Sequence, residues 1–206
     1  MTSFKVPKGT GIDEFVEKRS RFIGEVRYTP TEEEALAFIA EINEKHKTAT
    51  HNVYAYSIRN NNIMRYSDNG EPQGTAGLPV FDVFRKEEVF DFCCVVTRYF
   101  GGILLGGGGL VRAYSHAAKI GLDAAGIAVM RLWTEGDVKI PYNLFEVIQK
   151  AMVEMGIKIT STDYAEEVTL SYLIPSEDFD KVAAKVFDMS AGRVSCRRGE
   201  EKFMAI

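Results

Sequence analysis

Cysteine is scarce in this chain, and the three present do not form a framework. Cys93 and Cys94 are adjacent inside an apolar run and Cys196 stands alone. An odd count with no C-x-x-C spacing excludes a disulfide scaffold and fits a reducing compartment. Histidine is equally sparse. His46, His51 and His116 are not at metal-ligand spacing and no Cys/His cluster accompanies them, so no metal and no cofactor is expected. Long apolar runs are missing too. No stretch approaches the roughly 20 apolar residues of a membrane span, and Met1–Lys8 has no apolar leader core, so the chain reads as cytoplasmic, with no membrane partner. A positive net charge is also absent: the formal value is −4. Residues 1–132 hold 16 Lys and Arg against 16 Asp and Glu, and residues 133–206 hold 9 against 13. Coating nucleic acid by bulk charge is thereby excluded, and a local basic patch on the first part is not.

What is present is an ordinary globular composition, 46% hydrophobic and 26% charged, over 206 residues. The pattern predicts two α+β domains, 1–132 and 133–206. In the first, strands are expected at 12–18 and 21–28. A helix opens at Thr31 with Glu34 at capping-box spacing, and Ala35, Phe38, Ile39 and Ile42 form its apolar stripe. A hairpin is expected across the Asn60-Asn61-Asn62 turn, then a loop over 68–77 and a short helix over 74–86. The unbroken run from Phe90 to Tyr99 suits a strand buried on both faces, with Cys93 and Cys94 pointing to opposite sides. A helix from about Leu110 to Leu122 follows. The second domain reads β-α-β-β-α-β, from a strand at 135–140 to strand material at 193–196 and 202–206. That is the ferredoxin-like order.

The strongest chemical signal is the segment from Arg98 to Arg112, which holds Gly101, Gly102, Gly106, Gly107, Gly108 and Gly109. A buried strand, a glycine turn and a helix start occur in that order. Helix-start N–H groups lack internal partners and favour anions, and two guanidinium groups, Arg98 and Arg112, are expected to bracket a phosphate. Leu110-Val111 follow the last glycine where a P-loop needs Lys-Ser/Thr, and Val111 breaks the dinucleotide fingerprint, so neither named motif applies. Asp68 and Glu71 lie in the 67–77 loop, where paired carboxylates serve acid–base work or hold Mg²⁺, although Asp-Asn-Gly and Glu-Pro are also ordinary turn chemistry. Thr75 is placed to cap the helix after that loop. Lys18, Arg19, Arg21, Arg59 and Arg65, with Tyr54, Tyr56, Tyr66 and Tyr99, offer phosphate attraction and base stacking if they converge.

The segments Glu17–Gly24, His51–Tyr56, Tyr66–Gly77 and Val95–Tyr114 together resemble the IMPACT family, and the two-domain plan resembles its bacterial YigZ-type branch. The resemblance implies a first domain like the second domain of ribosomal small-subunit protein five and a ferredoxin-like second domain like the last domain of the ribosomal translocase. It implies a role near translation: eukaryotic members restrain a starvation-activated kinase by competing for its activator. It supplies no catalytic residues. The expected function is a non-enzymatic regulator that binds RNA, the ribosome or a translation factor through the glycine-rich basic face. The alternatives are an enzyme acting on a phosphorylated small molecule or nucleotide with Mg²⁺, and a protein-interaction module using the acidic second domain.

Overall fold

The computed structural model describes residues 3–205. They divide into two compact units, Phe4–Val129 and residues 130–205 with Ser3. The first unit runs β1 (Ser3–Pro7), β2 (Gly11–Glu17), β3 (Ser20–Tyr28), α1 (Glu32–Lys45), β4 (His51–Ile58), β5 (Ile63–Ser67), α2 (Gly77–Glu87), β6 (Phe92–Tyr99) and α3 (Gly107–Ala125). Its main sheet has the order β2-β3-β6-β4-β5, every neighbour antiparallel.

The central strand β6 is buried on both faces because helices cover both. Cys93 and Val95 pack with Phe38, Ile39 and Ile42 of α1. Cys94 and Val96 pack with Val80 and Phe84 of α2 and with Tyr114 and Ala117 of α3. Adjacent strand residues point to opposite faces, so the two cysteines belong to different cores. Burial raises both thiols above their ordinary range. A thiol reagent at pH 8 is therefore expected to leave both unmodified in the native protein and to label them only after denaturation. Counting modified thiols before and after adding guanidinium checks this.

Thr31 caps α1 as expected, accepting the Glu34 N–H at 3.2 Å. The Glu34 carboxylate takes the Thr31 hydroxyl instead of a backbone N–H. Helix α2 begins at Gly77 rather than at Gly74, and Thr75 does not cap it. The Thr75 hydroxyl donates to the Pro72 carbonyl. The cap comes from Asp68, whose Oδ1 accepts the N–H groups of Ala76 and Gly77 at 3.1 and 2.8 Å.

Helix α3 crosses β3 closely at Gly24, where an added Cβ would lie 2.0 Å from the Ala117 carbonyl oxygen. Backbone cannot yield there as a side-chain tip can. Gly24→Ala is expected to cost about 1–3 kcal/mol by overpacking, read as a lower urea midpoint with an unchanged slope.

The second unit continues with β7 (Ile127–Ile140), α4 (Tyr142–Glu154), β8 (Lys158–Tyr164), β9 (Val168–Pro175), a 3₁₀ turn at 176–178, α5 (Phe179–Met189) and β10 (Cys196–Ala205). The order β10-β7-β9-β8 is antiparallel throughout. Ile148 and Met152 of α4 and Val182 and Val186 of α5 cover one face of it, against Val138, Leu170 and Tyr172. This is the ferredoxin-like arrangement. Strand β7 starts at Ile127 rather than near Glu135, and the division after Val129 falls inside it instead of after residue 132. The two pieces of terminal strand material form one strand, bulged between Arg198 and Glu201. Charges here pair within the unit: Arg197 with Asp137 at 2.8 Å and Lys202 with Glu135 at 2.5 Å.

Candidate anion-binding surface

The chain leaves β6 at Tyr99 and meets the β2–β3 hairpin at once. Lys18 and Arg19, the two turn residues of that hairpin, have φ of 45° and 65°. Non-glycine residues there are strained, at a cost of order 1–3 kcal/mol each. Gly101 lies against the turn so tightly that a Cβ would be 2.1 Å from the Arg19 carbonyl carbon. Its N–H donates to the Oγ of fully buried Ser20 at 3.1 Å. The surroundings thus hold a strained turn that projects two basic side chains.

Beyond it the backbone turns at Gly106, φ +73°, into α3. The helix begins at Gly107, earlier than the expected Leu110, so three glycines occupy its first turn. No side chain caps this end. Gly107 and Gly108 have no positive φ. A Cβ on Gly108 would meet nothing within 4 Å, and one on Gly107 only a Thr75 methyl at 3.9 Å. Nothing inside the fold demands glycine at either position, and each costs about 1 kcal/mol of helix propensity relative to alanine.

Two hollows flank this helix end. The first, about 300 Å³, is lined by Phe15, Glu17, Lys18, Leu105, Gly109, Arg112, Ala113 and His116, two basic residues against one acidic. The ring of His116 stands edge-on to Phe15 at 4.6 Å. Among the described residues, Lys18, Arg19 and Arg112 have no ion-pair partner. Several other cations of this unit are committed, Arg21 to Glu14, Arg27 to Glu41, Arg85 to Asp82 and Lys119 to Asp123, while Lys8 and Lys86 also lack an ion-pair partner among the described residues.

The second hollow, about 330 Å³, is lined by Thr50, His51, Glu71, Arg98, Gly106, Gly107 and a roof of Phe100, Leu104, Leu105 and Leu110. Arg98 is 5% exposed and donates to Glu71 Oε1 at 2.6 Å. The same oxygen accepts the Tyr114 hydroxyl at 2.7 Å and faces His51 Nε2 at 3.7 Å. Burial first, then the bond to Glu71, raises the Tyr114 phenol far above its ordinary range. The expectation that Arg98 and Arg112 bracket one anion is corrected here. They line different hollows, and Arg98 is a buried partner of Glu71.

The remaining sequence candidates separate. Asp68 and Glu71 do not form a paired carboxylate site. Asp68 Oδ2 accepts the Gly74 N–H at 2.8 Å and its Oδ1 caps α2, while Glu71 belongs to Arg98. Tyr56 is 4% exposed beneath α1, and its hydroxyl donates to Glu32 at 2.8 Å. Burial and that bond push its pKa up to about 12, and it offers no surface for stacking. Arg65 lies on edge strand β5, at the far side of the sheet from Lys18 and Arg19, and donates to the Met64 carbonyl. Arg21 is held by Glu14, with its guanidinium 5.9 Å from the Tyr99 ring centre. Gly102 turns with φ +83° beside Gly101, away from both hollows' linings. Sequence reading missed the meeting of His51, Glu71 and Tyr114, and also a cluster in which His46 bridges Glu25 at 2.9 Å and Tyr99 at 3.0 Å. No periodicity marks either one, because their members come from distant strands and helices.

The first unit is a two-faced antiparallel sheet with an open basic helix end, and the second a ferredoxin-like unit; together they define a two-domain α+β protein. Residues 18–122 match the Impact N-terminal domain, and residues 138–193 match a domain of unknown function, DUF1949. The chain belongs to the IMPACT family. It is 34% identical to the IMPACT family member YvyE of Bacillus subtilis, over 98% of this chain and 94% of that one. It is 32% identical to the IMPACT family member YigZ of Escherichia coli, over 98% and 100%. The Xenopus laevis Protein IMPACT is 43% identical over 68 residues, 31% of this chain and 21% of that protein. A crystal structure of a hypothetical protein, 30% identical, matches with a TM-score of 0.62 over 97% of this chain and 98% of its own.

Proposed function

We propose that the first domain binds the phosphate backbone of RNA, in a regulatory role near translation, through the hollow formed by Lys18, Arg112 and the start of α3, with Arg19 next to Lys18 on the β2–β3 turn. The observation that carries this reading is the pairing of two otherwise costly features. Cations without carboxylate partners, Lys18 and Arg112 in the lining and Arg19 next to Lys18 on the turn, accompany a helix start at which no contact within the fold requires Gly107 or Gly108. The free N–H groups of the first turn and the helix dipole favour negative charge. Missing Cβ atoms let a phosphate oxygen approach the backbone, and Lys18 and Arg112 supply mobile charge around it. Phe15 and His116 give the same hollow a ring-lined wall for a base.

The test is fluorescence anisotropy of a labelled single-stranded RNA across a salt series. Affinity should fall as salt rises, and Arg112→Ala should weaken binding more than Arg85→Ala, whose arginine is already paired with Asp82. Equal effects of the two substitutions, or no binding at about 20 mM salt, would refute the assignment to this surface.

A further inference from the structure

We propose that the second hollow is a separate small-molecule site that takes a phosphomonoester carrying a hydroxyl group, of about the size of a sugar phosphate or mononucleotide. The inference stands apart from RNA binding, since it uses none of Lys18, Arg19 and Arg112, and the two hollows share only Leu105 and the neighbouring helix start.

Four features of the hollow specify the ligand. The first is its anion end. Gly106 and Gly107 line the wall at the uncapped start of α3, so main-chain donors without helical partners are at hand. The second is a buried cation in the same wall. Arg98 is only 5% exposed, and its Nε has no hydrogen-bond partner among the described residues. A guanidinium has five N–H donors. Glu71 takes one at 2.6 Å and Ser20 another at a long 3.4 Å. A buried ion pair is a poor source of stability compared with apolar packing, and this one keeps an unpaired buried donor in a side chain that lines the hollow.

The third feature is a histidine nitrogen left open in the lining. His51 Nδ1 lies 2.8 Å from the Asn69 carbonyl oxygen. A carbonyl only accepts, so Nδ1 carries the hydrogen, and Nε2 is left without a hydrogen bond among the described residues. Opposite, at 3.7 Å, is Glu71 Oε1. That separation is too long for a hydrogen bond. Oε1 already accepts from Arg98 and Tyr114, so the open position is Nε2, and a ligand hydroxyl, which both donates and accepts, can pair with it. The fourth feature is the roof. Phe100, at 45% exposure, and Leu104, at 81%, stand beside Leu105 and Leu110 and can cover the carbon body of a ligand. A volume of about 330 Å³ sits at the small end of ligand pockets.

The experiment is calorimetric titration of the full chain with glycerol 3-phosphate, ribose 5-phosphate, AMP and UMP, alongside ribose and inorganic phosphate. At least one hydroxylated phosphomonoester should bind at least about tenfold tighter than phosphate, and ribose should not bind, because both the anion and the hydroxyl are read. His51→Ala should reduce the tight ligand to the affinity of phosphate and leave phosphate itself within about twofold. Gly107→Leu, which fills the hollow from the helix side, should abolish both. The double variant Lys18→Ala/Arg112→Ala should change neither, while losing RNA. The proposal is overturned if no phosphomonoester binds, if phosphate binds as tightly as every ester, or if the Lys18/Arg112 variant loses the small ligand along with RNA. Urea melts of each variant separate lost binding from lost fold. Should His51→Ala prove unfolded, Gly107→Leu still decides the matter.

Discussion

Replacing Glu71 with alanine is expected to destabilise the protein by about 3–5 kcal/mol, the usual cost of removing one member of a buried ion pair. The side chains of Glu71 and Arg98 are 4% and 6% exposed. Without the carboxylate, a guanidinium that cannot shed its proton remains in a nearly dry site. The Tyr114 hydroxyl, on a fully buried residue, loses its acceptor in the same step. Against a typical domain stability of about 5–15 kcal/mol, this is a large fraction. Glu71→Gln should be milder, because its amide oxygen still accepts from Tyr114. Arg98→Met combined with Glu71→Leu should cost clearly less than the sum of Arg98→Ala and Glu71→Ala, since neither charge is then stranded. Urea unfolding of the variants, read at a common slope, measures all of this. If Glu71→Ala unfolds within about 1 kcal/mol of the parent protein, water reaches this pair and the two charges are not sealed together.

The second large effect concerns Lys18, Arg19 and Arg112. The triple variant Lys18→Ala/Arg19→Ala/Arg112→Ala should lower the salt dependence of single-stranded RNA binding by about 2 in the log–log slope, at roughly 0.7 for each phosphate no longer neutralised. Its affinity deficit should be greatest at low salt and shrink as salt rises, because the missing contribution is counterion release. Two of the substitutions also bear on stability in a predictable way. Lys18 and Arg19 hold left-handed backbone, which alanine tolerates no better than they do. Folding should therefore move little, and the binding change can be read as loss of charge. A triple variant with an unchanged slope would show that RNA phosphates do not meet this turn. Arg19→Gly should instead relieve turn strain and raise stability while still weakening binding.

Much of the fold was written locally. The capping spacing of Thr31 and Glu34, the stripe Ala35, Phe38, Ile39 and Ile42, and the unbroken apolar run of β6 each depend on short-range periodicity, which sequence exposes directly. The β-α-β-β-α-β order of the second domain was readable for the same reason. Boundaries were less so. Helix α3 starts at Gly107 despite three poor helix formers, because packing of Ala113, Tyr114 and Ala117 against the sheet outweighs local propensity. Strand β7 starts at Ile127 because pairing, not composition, sets its length.

The candidate site divides in the same way. The sequence by itself determined that glycines follow a buried strand and open a helix, and that Arg98 and Arg112 lie close to them along the chain. Only tertiary structure decided the partners. Glu71 and Arg98, 27 positions apart, close into a 2.6 Å contact, which turns a supposed anion clamp into a buried pair. The antiparallel register of β4 and β6, setting His51 opposite Arg98, brings an imidazole to the same carboxylate. The hairpin at Lys18 and Arg19, held by Gly101, places basic side chains by the helix start in place of Arg98. Charge is a property of a residue type and is legible in one dimension. Whether a charge is spent inside the fold or left for a ligand depends on distances between segments remote in sequence, and those exist only once the chain has packed.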